Sequence, residues 1–267
     1  MIIVFLNKSD IIDYIFQVKG VIQVAGKIQR YKHNLDVSYT LGATLTFEML
    51  KERPDLINQV FISSETADEG GIHELLVSLK KHHIPVVLSD KAFHILSPKG
   101  NCYVIGEFKK EKPSLKEGNH IVLVNPSDAG NLGTILRTAT GFGFSDIAIV
   151  SPAVDVYDPK VVRASMGALF HLRVEYFQTI EDYIRRFPDN ARYAFMLRVP
   201  TPLPQVKRQT PYSLIFGNEA TGLPENFADF CQSVIIRHTS RIDSLNLPMA
   251  AGIGMYEFTK ADFNPAE

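Results

Sequence analysis

At 267 residues, with 45% hydrophobic and 21% charged residues, the chain has enough apolar material for two ordinary domains and too little polarity for extended disorder. A formal charge of −1 excludes a protein that coats nucleic acid non-specifically, because that needs many cations on one face, but it leaves room for a local RNA site. Cys102 and Cys231 lie far apart and form no CxxC pair, so neither a disulfide framework nor a metal site is expected.

The apolar opening, residues 1–6, is broken by Asn7, Lys8, Ser9 and Asp10. It is too short for a signal-peptide core or a membrane span, so it predicts a strand or short helix in a cytoplasmic protein without a membrane association. Lys19, Lys27, Arg30, Lys32 and His33 form the densest basic stretch and read as a solvated face or, less commonly for such a run, as a binding patch. Helical patterns follow at 41–50 and 72–81, with strand patterns at 59–62, 85–88 and 103–108. Together they predict a small α/β unit of about a hundred residues.

The segment KKEKPSLKEGN, residues 109–119, combines alternating charge with Pro113 and Gly118 and lacks apolar periodicity. That composition predicts an exposed connection between domains. Beyond it, apolar runs at 121–124, 147–150, 193–197, 213–216 and 234–236 suit strands covered on both faces. Amphipathic segments between most of them imply a mainly parallel sheet with helices on both sides. Ligands of open α/β sheets bind beyond the carboxyl ends of the strands, which singles out the loops at 125–131, 217–223 and 237–246.

The first loop leads into a helix expected to begin near Asn131, with Leu132, Ile135, Leu136, Ala139 and Phe142 on its buried stripe. Arg137 lies off that stripe, flanked at i−4 and i+4 by Gly133 and Gly141. It reads either as a surface cation or as a cation that a ligand can approach closely. The neighbouring GFGFSD closes this helix instead of opening one, so it is not a dinucleotide fingerprint, and a nicotinamide-dependent enzyme is the weaker alternative.

In the second loop, Gly217 and Gly222 enclose Asn218 and Glu219. Such a loop turns tightly and either serves as a strand-to-helix connection or offers main-chain groups and an apolar wall to an adenine ring. The third loop precedes a helix with Leu245, Met249, Ile253 and Tyr256 at helical spacing and small residues between them. Ser244 and Asn246 stand before it, where they either cap the helix or hydrogen-bond a substrate.

Taken together, N-x-G-x-x-x-R from Asn131 to Arg137, G-x-E-x-x-G-L from Gly217 to Leu223 and S-L-N from Ser244 to Asn246 resemble the ordered motifs of the SpoU/TrmH family in the SPOUT class of methyltransferases. The stretch VVRASMGALFHLRV, residues 161–174, is similar to a helix-and-strand segment of the same family. This resemblance implies a C-terminal SPOUT domain over 120–267 with a trefoil knot, a linker at 113–119, and a ribosomal-protein-like RNA substrate-binding domain over 1–112. It also implies a homodimer that transfers a methyl group from S-adenosylmethionine to a ribose 2′-hydroxyl of structured RNA, either rRNA or tRNA. A non-catalytic RNA-binding relative with the same fold is the alternative.

By the same resemblance, Arg137 is the leading catalytic candidate, Asn131 and Glu219 orient it or the RNA backbone, and Ser244 and Asn246 shape the reacting centre. Gly217, Ile236 and Leu245 contact the cofactor, with Leu197 as a neighbour. An arginine stays protonated far above neutral pH, so Arg137 is expected to grip a phosphate and stabilise developing alkoxide charge, not to act as the base. After Asn246 the family commonly has valine, serine and a small or apolar residue, where this chain has Leu247, Pro248 and Met249. Proline is compatible with the first turn of a helix.

Overall fold

The computed structural model describes residues 28–66, 71–97, 102–198 and 200–263. The element expected at 1–6, and Lys19 and Lys27, lie outside them. The chain divides into two compact units, one comprising Met1–Glu111 with Tyr157–Arg163 and the other Lys112–Val156 with Ala164–Glu267.

The first unit contains β1 (Val37–Leu41), α1 (Ala43–Glu52), β2 (Ile57–Ile62), α2 (Ile72–Lys81), β3 (Val86–Leu88), α3 (Asp90–Leu96) and β4 (Val104–Lys109). The strands form a four-stranded sheet in the order β1-β4-β2-β3, antiparallel except for the β2–β3 pair. Ile72, Leu75, Leu76 and Leu79 give α2 its buried face, and Tyr39, Phe61, Val87, Phe93 and Ile105 form a core cluster. β1 was not among the expected strands, since the helical pattern was read from residue 41. Its polar Ser38 and Thr40 are fully buried. Thr40 Oγ1 accepts the Gly106 N–H at 3.0 Å and bonds the Thr46 hydroxyl at 2.8 Å, so strand pairing satisfies groups that look solvent-directed in the sequence.

Tyr157–Arg163 returns to this unit from a later part of the chain. The Glu111 N–H donates to the Tyr157 hydroxyl, which donates to the Glu111 carbonyl (3.2 and 3.0 Å). The Ser38 hydroxyl donates to the Tyr157 carbonyl, and the rings of Phe108 and Tyr157 lie 6.2 Å apart.

The second unit contains β5 (His120–Val124), α4 (Ala129–Gly141), β6 (Asp146–Val150), α5 (Pro159–Ala164, mostly in the first unit), β7 (Arg173–Phe177), α6 (Ile180–Arg186), β8 (Ala191–Phe195), β9 (Thr201–Pro202), β10 (Tyr212–Phe216), β11 (Gln232–Ile235) and α7 (Leu247–Thr259). Its seven strands pair in parallel in the order β7-β6-β5-β10-β8-β11-β9. Every residue of β5, β6 and β10 is buried, as expected for strands covered on both faces. From β5 the chain winds outward to β6 and β7, then crosses to the other side, so β5 and β10 flank the topological switch point.

The stretch expected as an exposed connection is anchored. Leu115 joins the core, its N–H donates to Glu175 at 2.8 Å, and the Lys116 N–H donates to Asp146 at 3.0 Å. At the amino ends of β5 and β10, a buried chain of hydrogen bonds has a defined direction. His120 Nε2 lies 2.7 Å from the Lys116 carbonyl oxygen, which can only accept, so Nε2 carries the proton and Nδ1 accepts from the Tyr183 hydroxyl at 2.8 Å. Tyr183 therefore accepts from the Ser213 hydroxyl (2.6 Å), which accepts from the Asn190 amide (3.0 Å). No helix among the described residues is long and apolar enough to cross a membrane.

Candidate active site

The switch point brings together the loops that leave β5 and β10. Phe216 pairs with Leu123, so Gly217 emerges beside the end of β5. The Glu219 carboxylate ties the two loops together: Oε2 accepts from the Ser127 N–H and hydroxyl (3.0 and 2.8 Å), and Oε1 accepts from the Asp128 N–H (3.1 Å) and the Asn131 amide (3.3 Å). Burial alone would raise the pKa of Glu219, but its own N–H and those of Ser127 and Asp128, with the Ser127 hydroxyl, outweigh it and hold the group below its ordinary value.

Asn218 reinforces the same junction. Its amide donates to the Asn125 carbonyl (2.8 Å), while its Oδ1 accepts the N–H groups of Ala220 and Thr221 (2.9 and 3.2 Å). Paired backbone bonds between Asn218 and Gly222 close the turn. At Gly217 a Cβ would overlap the Gly222 backbone and lie 2.5 Å from the Leu223 nitrogen, so a side chain there would force the turn open.

Helix α4 starts earlier than expected, at Ala129, because Asp128 caps it by accepting the Asn131 N–H at 2.7 Å. Arg137, two turns in, is exposed and has no hydrogen bond or ion pair with the described residues. At α7, Asn246 occupies the cap position but its side chain makes no capping bond, and the Ser244 side chain is likewise unengaged. The capping reading of these residues is therefore not realised. Pro248 sits in the first turn, where its missing N–H deprives no helical acceptor.

The face that α7 buries differs from the expected stripe. Met249 and Tyr256 are 61% and 54% exposed and Ile253 is also exposed, whereas Pro248, Ala251, Gly254, Met255 and Phe258 are buried. Small and large residues share that face. A Cβ at Gly254 would lie 2.6 Å from the ring of Phe195, which stacks on Phe216 with centroids 4.4 Å apart.

Those two rings form part of a cleft of 520 Å³ at the carboxyl ends of β8, β10 and β11. Leu197, Gly217, Glu219, Ile236, Ser244 and Leu245 all line it. Arg137, Asn131 and Asn246 are not on its wall; Asn131 joins it through Glu219. Ser127, Asp128, Asn218 and His238 fall in the three loops that the sequence singles out, but they are not among its candidate site residues. Asp128, three residues before Asn131, carries an N-cap signal, Asn218 stands beside Glu219, and His238 lies in the loop at 237–246, where no motif residue marks it. The volume, the apolar rings and aliphatic side chains, and the tight backbone turn at Gly217 together fit a nucleoside bearing a short polar chain.

A parallel, doubly wound sheet with such a cleft beside its switch point defines an α/β protein whose strand ends have the size and lining for a nucleoside-like ligand. The family model for the SpoU rRNA Methylase family matches residues 118–256, and the chain belongs to that family. It is 32% identical over 140 residues to an uncharacterised tRNA/rRNA methyltransferase of Synechocystis, a match covering 51% of this chain and about half (51%) of that relative's length. It is 23% identical over 222 residues to the 23S rRNA (guanosine(2553)-2′-O)-methyltransferase of Bacillus subtilis, covering 80% of this chain and 85% of that one. The crystal structure of an AdoMet-bound rRNA methyltransferase from Sinorhizobium meliloti superposes with a TM-score of 0.74 at 26% identity, over 86% of this chain and 89% of that chain.

Proposed function

We propose that the protein is an S-adenosylmethionine-dependent RNA 2′-O-ribose methyltransferase that acts on rRNA or tRNA in the cytoplasm. The observation that carries this reading is the Glu219 junction, which fixes the start of the Arg137 helix to the loop that walls the cleft. Gly217, Ile236 and Leu245, with Leu197 beside them, would hold the cofactor, which supplies a methyl group on a positively charged sulfur. The apolar wall, including Phe195 and Phe216, excludes water and solvates a charge poorly, an environment that favours a transfer in which that charge is lost.

Arg137, without a partner among the described residues, grips an RNA phosphate and stabilises negative charge growing on the 2′ oxygen. Asn131 and Glu219 keep its helix in register with the cleft. Ser244 and Asn246, whose side chains are not spent on capping, orient the ribose. The first unit selects the RNA substrate. The close approach of α7 to the sheet at Gly254 is compatible with a trefoil knot, and its exposed Met249, Ile253 and Tyr256 stripe suits a homodimer interface.

The test is incubation of the purified chain with methyl-labelled S-adenosylmethionine and total cellular RNA, followed by nucleoside mass spectrometry. Label in a 2′-O-methyl nucleoside is expected. Cofactor binding with no label in any RNA would instead support a non-catalytic RNA-binding protein.

A further inference from the structure

The loop between Ile236 and Ser244 carries a third group on the cleft wall, the half-buried imidazole of His238. Its Nδ1 lies 3.0 Å from the Ile236 carbonyl oxygen. A carbonyl only accepts, so Nδ1 carries the proton, and in the neutral ring Nε2 presents a lone pair. Nε2 has no hydrogen-bond partner among the described residues.

The other ionisable side chains on the wall are Arg198, Glu219, Glu225 and Asp243. Arg198 pairs with Glu225 at 3.3 Å, the Glu219 oxygens are filled by Ser127, Asp128 and Asn131, and Asp243 is exposed. Carboxylates and guanidinium groups ordinarily keep their charge between about pH 5 and 8, whereas imidazole changes its own there. His238 is thus the ionisable side chain on the wall that can present a neutral ring acceptor not used by the described residues.

We infer that His238 is a cofactor-binding residue whose neutral ring accepts a hydrogen bond from a donor of the bound nucleoside, so that binding requires an unprotonated imidazole. This rests on the S-adenosylmethionine reading above. Protonation replaces the lone pair with an N–H, which sets donor against donor and adds a positive charge beside a ligand that already carries one. The two effects separate by ligand. The donor conflict acts equally on S-adenosylmethionine and on S-adenosylhomocysteine, which share their N–H and O–H groups, whereas charge repulsion falls chiefly on the sulfonium.

Calorimetric titration of the full chain with each ligand from about pH 5.5 to 8 tests this. The Kd of both is expected to rise toward about tenfold per pH unit on the acid side of imidazole titration, and His238→Gln, which keeps a neutral acceptor, should flatten both curves. Ring nitrogen NMR of the unsubstituted protein should give the Nδ1–H tautomer, with its titration moved to lower pH by either ligand. Affinity independent of pH, an unchanged slope in His238→Gln, or acid weakening confined to S-adenosylmethionine would overturn the inference. If both ligands bind with the expected pH dependence but no RNA is methylated, the proposed function fails and the role of His238 stands. If neither ligand binds at any pH, both fall.

Discussion

Arg137 and Glu219 belong to two different family motifs and stand in opposite physical situations. Glu219 is saturated: four donors from Ser127, Asp128 and Asn131 fill its oxygens, which makes it a strut between loops. Arg137 is exposed and makes no hydrogen bond or ion pair with the described residues, so its guanidinium is available to a ligand without first breaking one of those. Replacing Arg137 with alanine should therefore lower methyl transfer by about 10² to 10³, the usual effect of removing one transition-state donor, while cofactor Kd stays within about twofold. Single-turnover transfer measured beside calorimetric cofactor binding checks this, and a matching loss in both would mean that Arg137 serves the cofactor. The sequence made Arg137 visible through its glycine neighbours, but not the saturation of Glu219, because its partners lie about ninety positions away.

Elements were most legible where burial leaves a simple pattern. β5, β6 and β10 are buried throughout, and the apolar run that follows the polar start of each places it in the sequence to within a residue. β1 escaped because its buried Ser38 and Thr40 mimic a solvated face. The face of α7 differs for a related reason: the amphipathic pattern favours large side chains, yet the helix meets the sheet through the small Ala251 and Gly254 as well as through Met255 and Phe258. Gly254→Ala tests that account. Its Cβ would press on Phe195 at 2.6 Å and Phe216 at 3.2 Å, so a loss of about 1–3 kcal/mol in urea unfolding is expected from overpacking. Unchanged stability would show that the stacked rings yield freely.

At the scale of the molecule, the cleft proposed as the active site sits at the carboxyl ends of the second unit's strands and a separate polar network sits at the amino ends. His120 is buried there, and desolvation lowers its pKa from the ordinary 6.5 despite opposing effects of the Lys116 carbonyl and Asp146. Below about pH 6.5 the unfolded chain takes up a proton that the folded chain refuses until its lower pKa is reached. Stability should accordingly fall as the solution is acidified through that window and be insensitive to this group above it. Urea unfolding between about pH 5.5 and 7.5 should give that slope, and His120→Asn should reduce it; an equal slope in both proteins would assign it to other groups.

The return of Tyr157–Arg163 to the first unit carries a consequence for descent. The chain visits that unit twice, so a single genetic crossover near residue 112 would join the front of one lineage to a 157–163 segment shaped by another. Substitutions at Ser38, Phe108 and Glu111 should then be inherited in concert with changes at Tyr157, which bonds or packs against all three. Lineages that acquire a new first unit must bring both pieces with it, which makes this half of the chain harder to exchange than an ordinary appended domain.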